Sequence, residues 1–154
     1  MDTRIVSIIL CNYSQLKEDS WGHFDGDTWY LMQDFDKICG NALADYPIYD
    51  KIVEWKIDGK QNSEIQKLLT EQFDKTYTVE YISSLWRNKI PRLIAEVAQE
   101  DFLMWEYTKR NYPMKTCSKC GQIKPANRLF FSKNKTSKDN WYSICKKCRN
   151  KKRG

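Results

Sequence analysis

Histidine is almost missing from this sequence: His23 is the single one in 154 residues. With no second histidine and no C-x-x-C beside it, His23 reads as a loop residue next to Asp25 and Asp27 instead of a metal ligand. Long apolar runs are missing too. None approaches the roughly 18 residues of a membrane span, and the run Ile5 to Cys11 is broken by Ser7 and has no basic flank. A signal peptide, an anchor and a membrane partner are therefore not expected, and the expected location is cytoplasmic. Glycine and proline are sparse, at 6 and 4, which excludes collagen-like and low-complexity chains. The length suits one ordinary domain, or one with a small appendage, and excludes large multidomain enzymes. What is present is enough apolar material for a core, 41% hydrophobic and 14% aromatic residues.

Acidic residues are nearly absent from one end and concentrated at the other. The net charge is -6 for residues 1–50, zero for 51–110 and +12 for 111–154, where Asp139 is the lone carboxylate. Such asymmetry predicts a basic tail that seeks a polyanion and an acidic head that repels one. The acidic first 50 residues fit a basic protein partner, an expectation resting on charge alone; it fails if removing residues 1–26 leaves every partner interaction intact. A tail kept basic for solubility is the plainer alternative.

Four of the six cysteines form a set. Cys117 and Cys120, then 24 residues, then Cys145 and Cys148 make paired C-x-x-C motifs. In a chain without an export signal such thiols stay reduced, and the spacing lets two turns present four soft ligands to one tetrahedral ion. One structural Zn2+ is expected. A four-cysteine shell leaves no position for an activated water, so catalysis at this metal and a small-molecule substrate are not expected. The stretch 111–154 has too few large apolar residues to close a core unaided, and so should fold only with its metal. Gly121 suits a knuckle, Phe130-Phe131 and Trp141 to Ile144 read as two short strands of a hairpin, and a short helix is expected after Cys148. Cys11 and Cys39 sit among apolar neighbours and read as core residues.

The strings Cys117-Ser-Lys-Cys120-Gly121, Lys124-Pro125, Phe130-Phe131, Lys138-Asp139 and Cys145-Lys-Lys-Cys148 resemble zinc modules of phage-type proteins, including the recombination endonuclease VII family, over about residues 115–150. That resemblance implies a treble-clef module on nucleic acid. It does not carry over a nuclease site, because the family's HNH-like chemistry needs histidine, and this sequence has only His23, far upstream of the cysteines.

The middle of the chain is mainly α by periodicity. Leu31/Met32, Phe35, Ile38/Cys39 and Ala42/Leu43 keep helical spacing after a cap at Asp27 or Thr28. Ile48/Tyr49, Ile52/Val53 and Ile57 make a second helix that stops at Asp58-Gly59. Asn62 or Ser63 caps a third, with Ile65, Leu68/Leu69 and Phe73 inward. Thr78 caps the next, with Ile82, Leu85/Trp86 and Ile90 inward, and Pro91 starts or kinks a long closing helix that ends before Tyr112-Pro113. Any small helical bundle shows this periodicity. The residues Gly59, Glu64-Ile65 and Thr78-Val79 resemble a helix-turn-helix of the kind in sigma-factor region four, and Asp27 to Asp36 leading into Ala42-Leu43 resembles the helix before that region, over about residues 29–95 in all.

The resulting architecture is a helical, helix-turn-helix domain over 1–110 with an acidic N-terminal segment, followed by a basic four-cysteine zinc module over 111–154. The candidate nucleic-acid contacts in the first are Lys60 and Gln61 at the turn, with Thr78, Tyr81, Ser84, Arg87, Asn88 and Lys89 on the outward helix face. In the second they are Lys133, Lys135, Lys138, Lys146, Lys147, Arg149, Lys151, Lys152 and Arg153, set to meet phosphate. Trp141 or Tyr142 offers a ring for an unpaired base, although hairpin packing claims at least one of them. The combined reading is a non-enzymatic, zinc-dependent protein of duplex DNA, a phage-type transcription regulator or accessory factor. A small HNH-like nuclease, an RNA binder and a protein-docking module are the alternatives.

Overall fold

The computed structural model describes residues 1–20 and 26–150. His23, Lys151, Lys152 and Arg153 lie outside the described residues. The chain divides into two compact units, Met1–Gln99 and Glu100–Gly154.

The first unit is helical from its start. Helix α1 (Thr3–Cys11) is capped by Asp2, whose carboxylate accepts from the Ile5 N–H at 2.9 Å, and it buries Val6, Ile9 and Leu10. Helix α2 (Tyr13–Ser20) follows almost without a break. It is tied to α3 (Asp27–Leu43) through one carboxylate: Tyr13 Oη donates to Asp36 at 2.7 Å, and Lys17 Nζ donates to the same group at 2.5 Å. The opening residues are thus part of the core, a role that their acidic average concealed. The remaining helices follow the apolar spacing. Helix α4 (Pro47–Ile57) begins with proline in its first turn, where the missing N–H costs nothing. It ends before Gly59, whose φ of +80° supplies the left-handed stop. Helix α5 (Asn62–Phe73) is capped by Gln61, one residue before the expected cap, because Glu64 reaches back to accept the Gln61 N–H at 2.7 Å. Likewise α3 takes Gly26 as its cap, one residue ahead of the sequence expectation.

Helix α6 (Val79–Ser84) starts as expected at Thr78, whose hydroxyl accepts from the Tyr81 N–H at 3.2 Å. It runs into a π-helical stretch, Leu85–Lys89, and then into α7 (Ile90–Lys109). Proline explains the π turn. In an α-helix the Pro91 ring would strike the carbonyl four residues back. Widening the turn, with Ile90 N–H donating to Leu85 O, relieves that conflict and leaves Pro91 buried inside a continuous helical run. Phe35, Met32, Ile52, Ile65, Leu69, Ile82, Ile90 and Ile94 are fully buried in one cluster with the α1 residues.

The second unit contains the end of α7, a two-stranded antiparallel ladder and a short helix. Strand β1 (Met114–Thr116) pairs with β2 (Ile123–Pro125), with Lys115 opposite Lys124. The expected hairpin is reduced to one pair, Lys133 with Trp141. Phe130 and Phe131 are both buried, which an alternating strand cannot achieve for neighbours on one face. They sit instead in a turn held by Asn127, whose side-chain oxygen accepts from the Leu129 N–H at 2.9 Å. Helix α8 (Lys146–Asn150) begins earlier than expected and takes in Cys148. The fold is mainly α with a small cysteine module. No helix of the described residues is long and apolar enough to cross a membrane.

Candidate metal centre

The knuckle is built by the chain turning back between β1 and β2. Cys117 N–H donates to Gln122 O and Gly121 N–H donates to Cys117 O, each at 2.9 Å. Gly121 takes φ +69°, a left-handed conformation that a side chain would resist. The other pair sits at the start of α8, with Cys145 just before the helix and Cys148 in its first turn. Ser118 N–H donates to Ser143 O at 2.9 Å across the two halves, and Lys146 N–H donates to Phe130 O at 2.8 Å, tying α8 to the phenylalanine turn.

All four sulfurs lie within 4.8 Å of one another. A tetrahedral ion with metal–sulfur bonds of ~2.3 Å needs sulfurs about 3.8 Å apart, so small side-chain adjustments suffice. Cys117 and Cys145 are buried, Cys148 is half-buried and Cys120 is exposed. Burial works against a Cys117 thiolate, but the backbone N–H groups of Cys145, Cys120 and Lys119 aim at this sulfur and bring its pKa down to about 6. The Cys145 N–H donates to it at 3.3 Å and the Lys119 N–H at 3.4 Å. Cys148 moves the other way, pushed up to about 12 by desolvation and by hydrogen bonds with its three neighbouring thiols. Four sulfurs this close, with Cys117 already favoured as a thiolate, form a site that could hold a metal cation. Phe130 and Phe131 back the cluster, with Leu103, Trp141 and Ile144 packed against it.

The basic residues around this centre differ in how they are held. Lys133 Nζ lies 4.0 Å from the Trp141 ring centroid, and the Arg149 guanidinium lies 4.9 Å from that of Tyr142. Lys146 donates to Arg128 O, while Lys135, Lys138 and Lys147 are exposed. Three further lysines have roles that the sequence did not announce. Lys115 pairs with Asp139, the module's lone described carboxylate. Lys119 Nζ donates to Cys148 O at 3.3 Å, and Lys124 is buried with its Nζ 5.6 Å from the Phe130 ring centroid. None of these partners is a sequence neighbour, so spacing alone could not single the lysines out.

In the helical unit, Gln61, Thr78, Tyr81, Ser84, Arg87, Asn88 and Lys89 are exposed and Lys60 is half-buried. Ser84, Arg87 and Asn88 line a groove of about 470 Å3 with Asn62, Glu80 and Ser83. Tyr81 packs edge-on against Tyr77, with ring centroids 5.0 Å apart. Lys56, not among the sequence candidates, has its pKa lowered by desolvation and by the nearby charge of Arg87. Cys39 packs against the core and its thiol is pushed up to about 12 by burial and by Asp36. Cys11 corrects the sequence reading: it is exposed, because α1 turns Val6, Ile9 and Leu10 inward and leaves Cys11 on the opposite face.

No family model, curated protein or solved structure matches this chain. The likenesses to sigma-factor region four and to the endonuclease VII family rest on the quoted motifs.

Proposed function

We propose that this chain is a non-enzymatic, zinc-dependent DNA-binding protein in which the cysteine module grips phosphate and the helical unit reads the site. The observation that carries this reading is four mutually close sulfurs inside a segment of net charge +12. Zinc suits an all-cysteine tetrahedral set better than the harder divalent ions, which prefer oxygen ligands. Bound there, it supplies a closed structural cross-link between knuckle and helix. Cys117, Cys120, Cys145 and Cys148 are the ligands, and no catalytic role is assigned to them.

Support for the helical half comes from a groove whose rim offers Arg87 and Asn88, side chains that pair bidentately with guanine and adenine edges. Lys60 beside the turn and Lys89 beyond the groove add positive charge for the backbone. The motif likenesses favour a phage-type transcription regulator or DNA-transaction accessory factor, acting in the cytoplasm. The exposed carboxylates of the first 50 residues supply negative charge for a basic protein partner.

A salt titration of the zinc-loaded protein against mixed-sequence duplex DNA, with a chelated sample alongside, tests the proposal. Binding should fall steeply with salt and largely vanish on chelation. Absence of duplex binding at low salt would defeat it.

A further inference from the structure

The two aromatic rings of the cysteine module that sequence offers for base stacking are already engaged by this chain's own cations. Trp141 is half-buried against the cysteine cluster, and Lys133 Nζ lies 4.0 Å from its ring centroid. Tyr142, the next residue, is 44% exposed and has the Arg149 guanidinium 4.9 Å from its centroid. Consecutive positions thus hold one cation each. The Lys133–Trp141 pairing and the Tyr142 N–H donated to Ser132 O at 3.1 Å fix the backbone that carries the rings. A flexible cation loses rotamer freedom when it grips a phosphate; one already resting on a ring has lost part of it beforehand.

The other large exposed rings in the same unit are poorly placed for nucleic acid. Phe102 and Trp105, with centroids 6.1 Å apart, lie on a stretch of α7 that carries Glu100 and Asp101, whose charge repels a polyanion. Tyr112 packs edge-on against Tyr107 at 5.3 Å. Single-strand binders draw much of their affinity from bases stacking on open rings. Here Trp141 and Tyr142 on the cationic surface are capped, Tyr112 is engaged by Tyr107 and by Arg110, whose guanidinium donates to its hydroxyl, and the uncapped Phe102 and Trp105 lie beside carboxylates.

We infer that Trp141 and Tyr142 are positioning residues, holding Lys133 and Arg149 for phosphate, and that the module grips the backbone of duplex DNA without stacking on unpaired bases. This rests on the proposed function and names the form of nucleic acid that the module takes. The duplex is favoured because it presents about one charge per 1.7 Å of axis and asks for no open ring.

The test compares a labelled duplex with either of its separated strands, by fluorescence anisotropy over a range of salt, using the full zinc-loaded chain and four variants. The duplex should bind more tightly at every salt concentration. Arg149→Gln and Lys133→Gln should each lower the slope of log affinity against log salt by about one. Tyr142→Ala removes no charge, so it should weaken duplex binding roughly two- to fivefold with the slope unchanged, and Tyr142→Phe should restore it. Zinc content, measured on each variant, separates these effects from loss of the fold. Tighter binding of single strands, or a Tyr142→Ala loss greater on single strands than on duplex, would overturn the inference. So would a zinc-loaded Tyr142→Ala that binds duplex as the parent does. Binding to none of these nucleic acids would instead bring down the underlying reading.

Discussion

The helical unit and the cysteine module solve the same problem with different materials. The helical unit buries Phe35, Met32 and a series of isoleucines and leucines from α1 through α7 in one cluster. The module buries two phenylalanines and two cysteines, with a handful of half-buried neighbours. At ~25 cal/mol per Å2 of apolar surface, so few side chains cannot offset the ordering of a segment this long. One unit is therefore held by area removed from water, whereas the other gathers four cysteine sulfurs into a candidate metal site. The difference teaches where each should be vulnerable: the first to cavities and, on the proposed zinc-dependent reading, the second to chelators.

Chelation should break the comparison most completely. Structural zinc sites carry roughly 10–16 kcal/mol of apparent binding free energy, so zinc removal or Cys145→Ser should unfold the module while far-UV circular dichroism keeps most of its helical signal. Loss of the whole signal would mean that the units share one stabilising source. Phe35→Ala is the mirror experiment. It opens a cavity in a fully buried site and should cost about 3–5 kcal/mol in denaturant unfolding of the helical unit, with zinc stoichiometry unchanged.

Smaller effects sharpen the picture inside the helical unit. Tyr13 donates to Asp36, and desolvation together with that carboxylate raises its pKa well above the usual tyrosine value. A raised acid stays protonated in the fold while the unfolded chain ionises, so its contribution is complete below the unfolded value and is lost as pH rises above about 10. Cys39, pushed up to about 12, acts in the same direction from about pH 9. Stability of the helical unit should therefore decline in alkali. Tyr13→Phe should cost about 1–2 kcal/mol near neutrality and flatten part of that decline; an unchanged alkaline profile would show that Tyr13 ionises freely in the fold. Smallest is Thr78→Ala, which removes the cap of α6 and should cost about 1 kcal/mol by thermal or chemical melting.

The helices were legible wherever apolar spacing and a start or stop signal coincided, as at Pro47, Gly59 and Thr78. The paired cysteines were legible because ligand spacing is a local property. Residues 3–20 were not, because Val6, Ile9 and Leu10 lie in a short run that is apolar almost throughout and shows no clear helical period, and only the core they enter reveals their face. Phe130-Phe131 misled as a strand, since aromatic pairs favour sheets and the Asn127 turn that buries both is a tertiary result. The π turn before Pro91 was half legible: the proline marks a disturbance, but not whether the helix breaks or widens. The capped rings of Trp141 and Tyr142 were invisible in sequence because the cations over them come from eight and seven residues away, on opposite sides.

The reach of the first cluster, from Val6 in α1 to Ala95 in α7, has a consequence for synthesis. The ribosome makes α1 early, yet the last residues that complete its surroundings emerge much later, so its apolar face must wait exposed while most of the unit is translated. The cysteine module carries its ligands within about thirty residues and can close soon after Cys148 leaves the exit tunnel. The helical unit is thus exposed for longer to premature association, whereas the four cysteines of the module meet within one short stretch of chain.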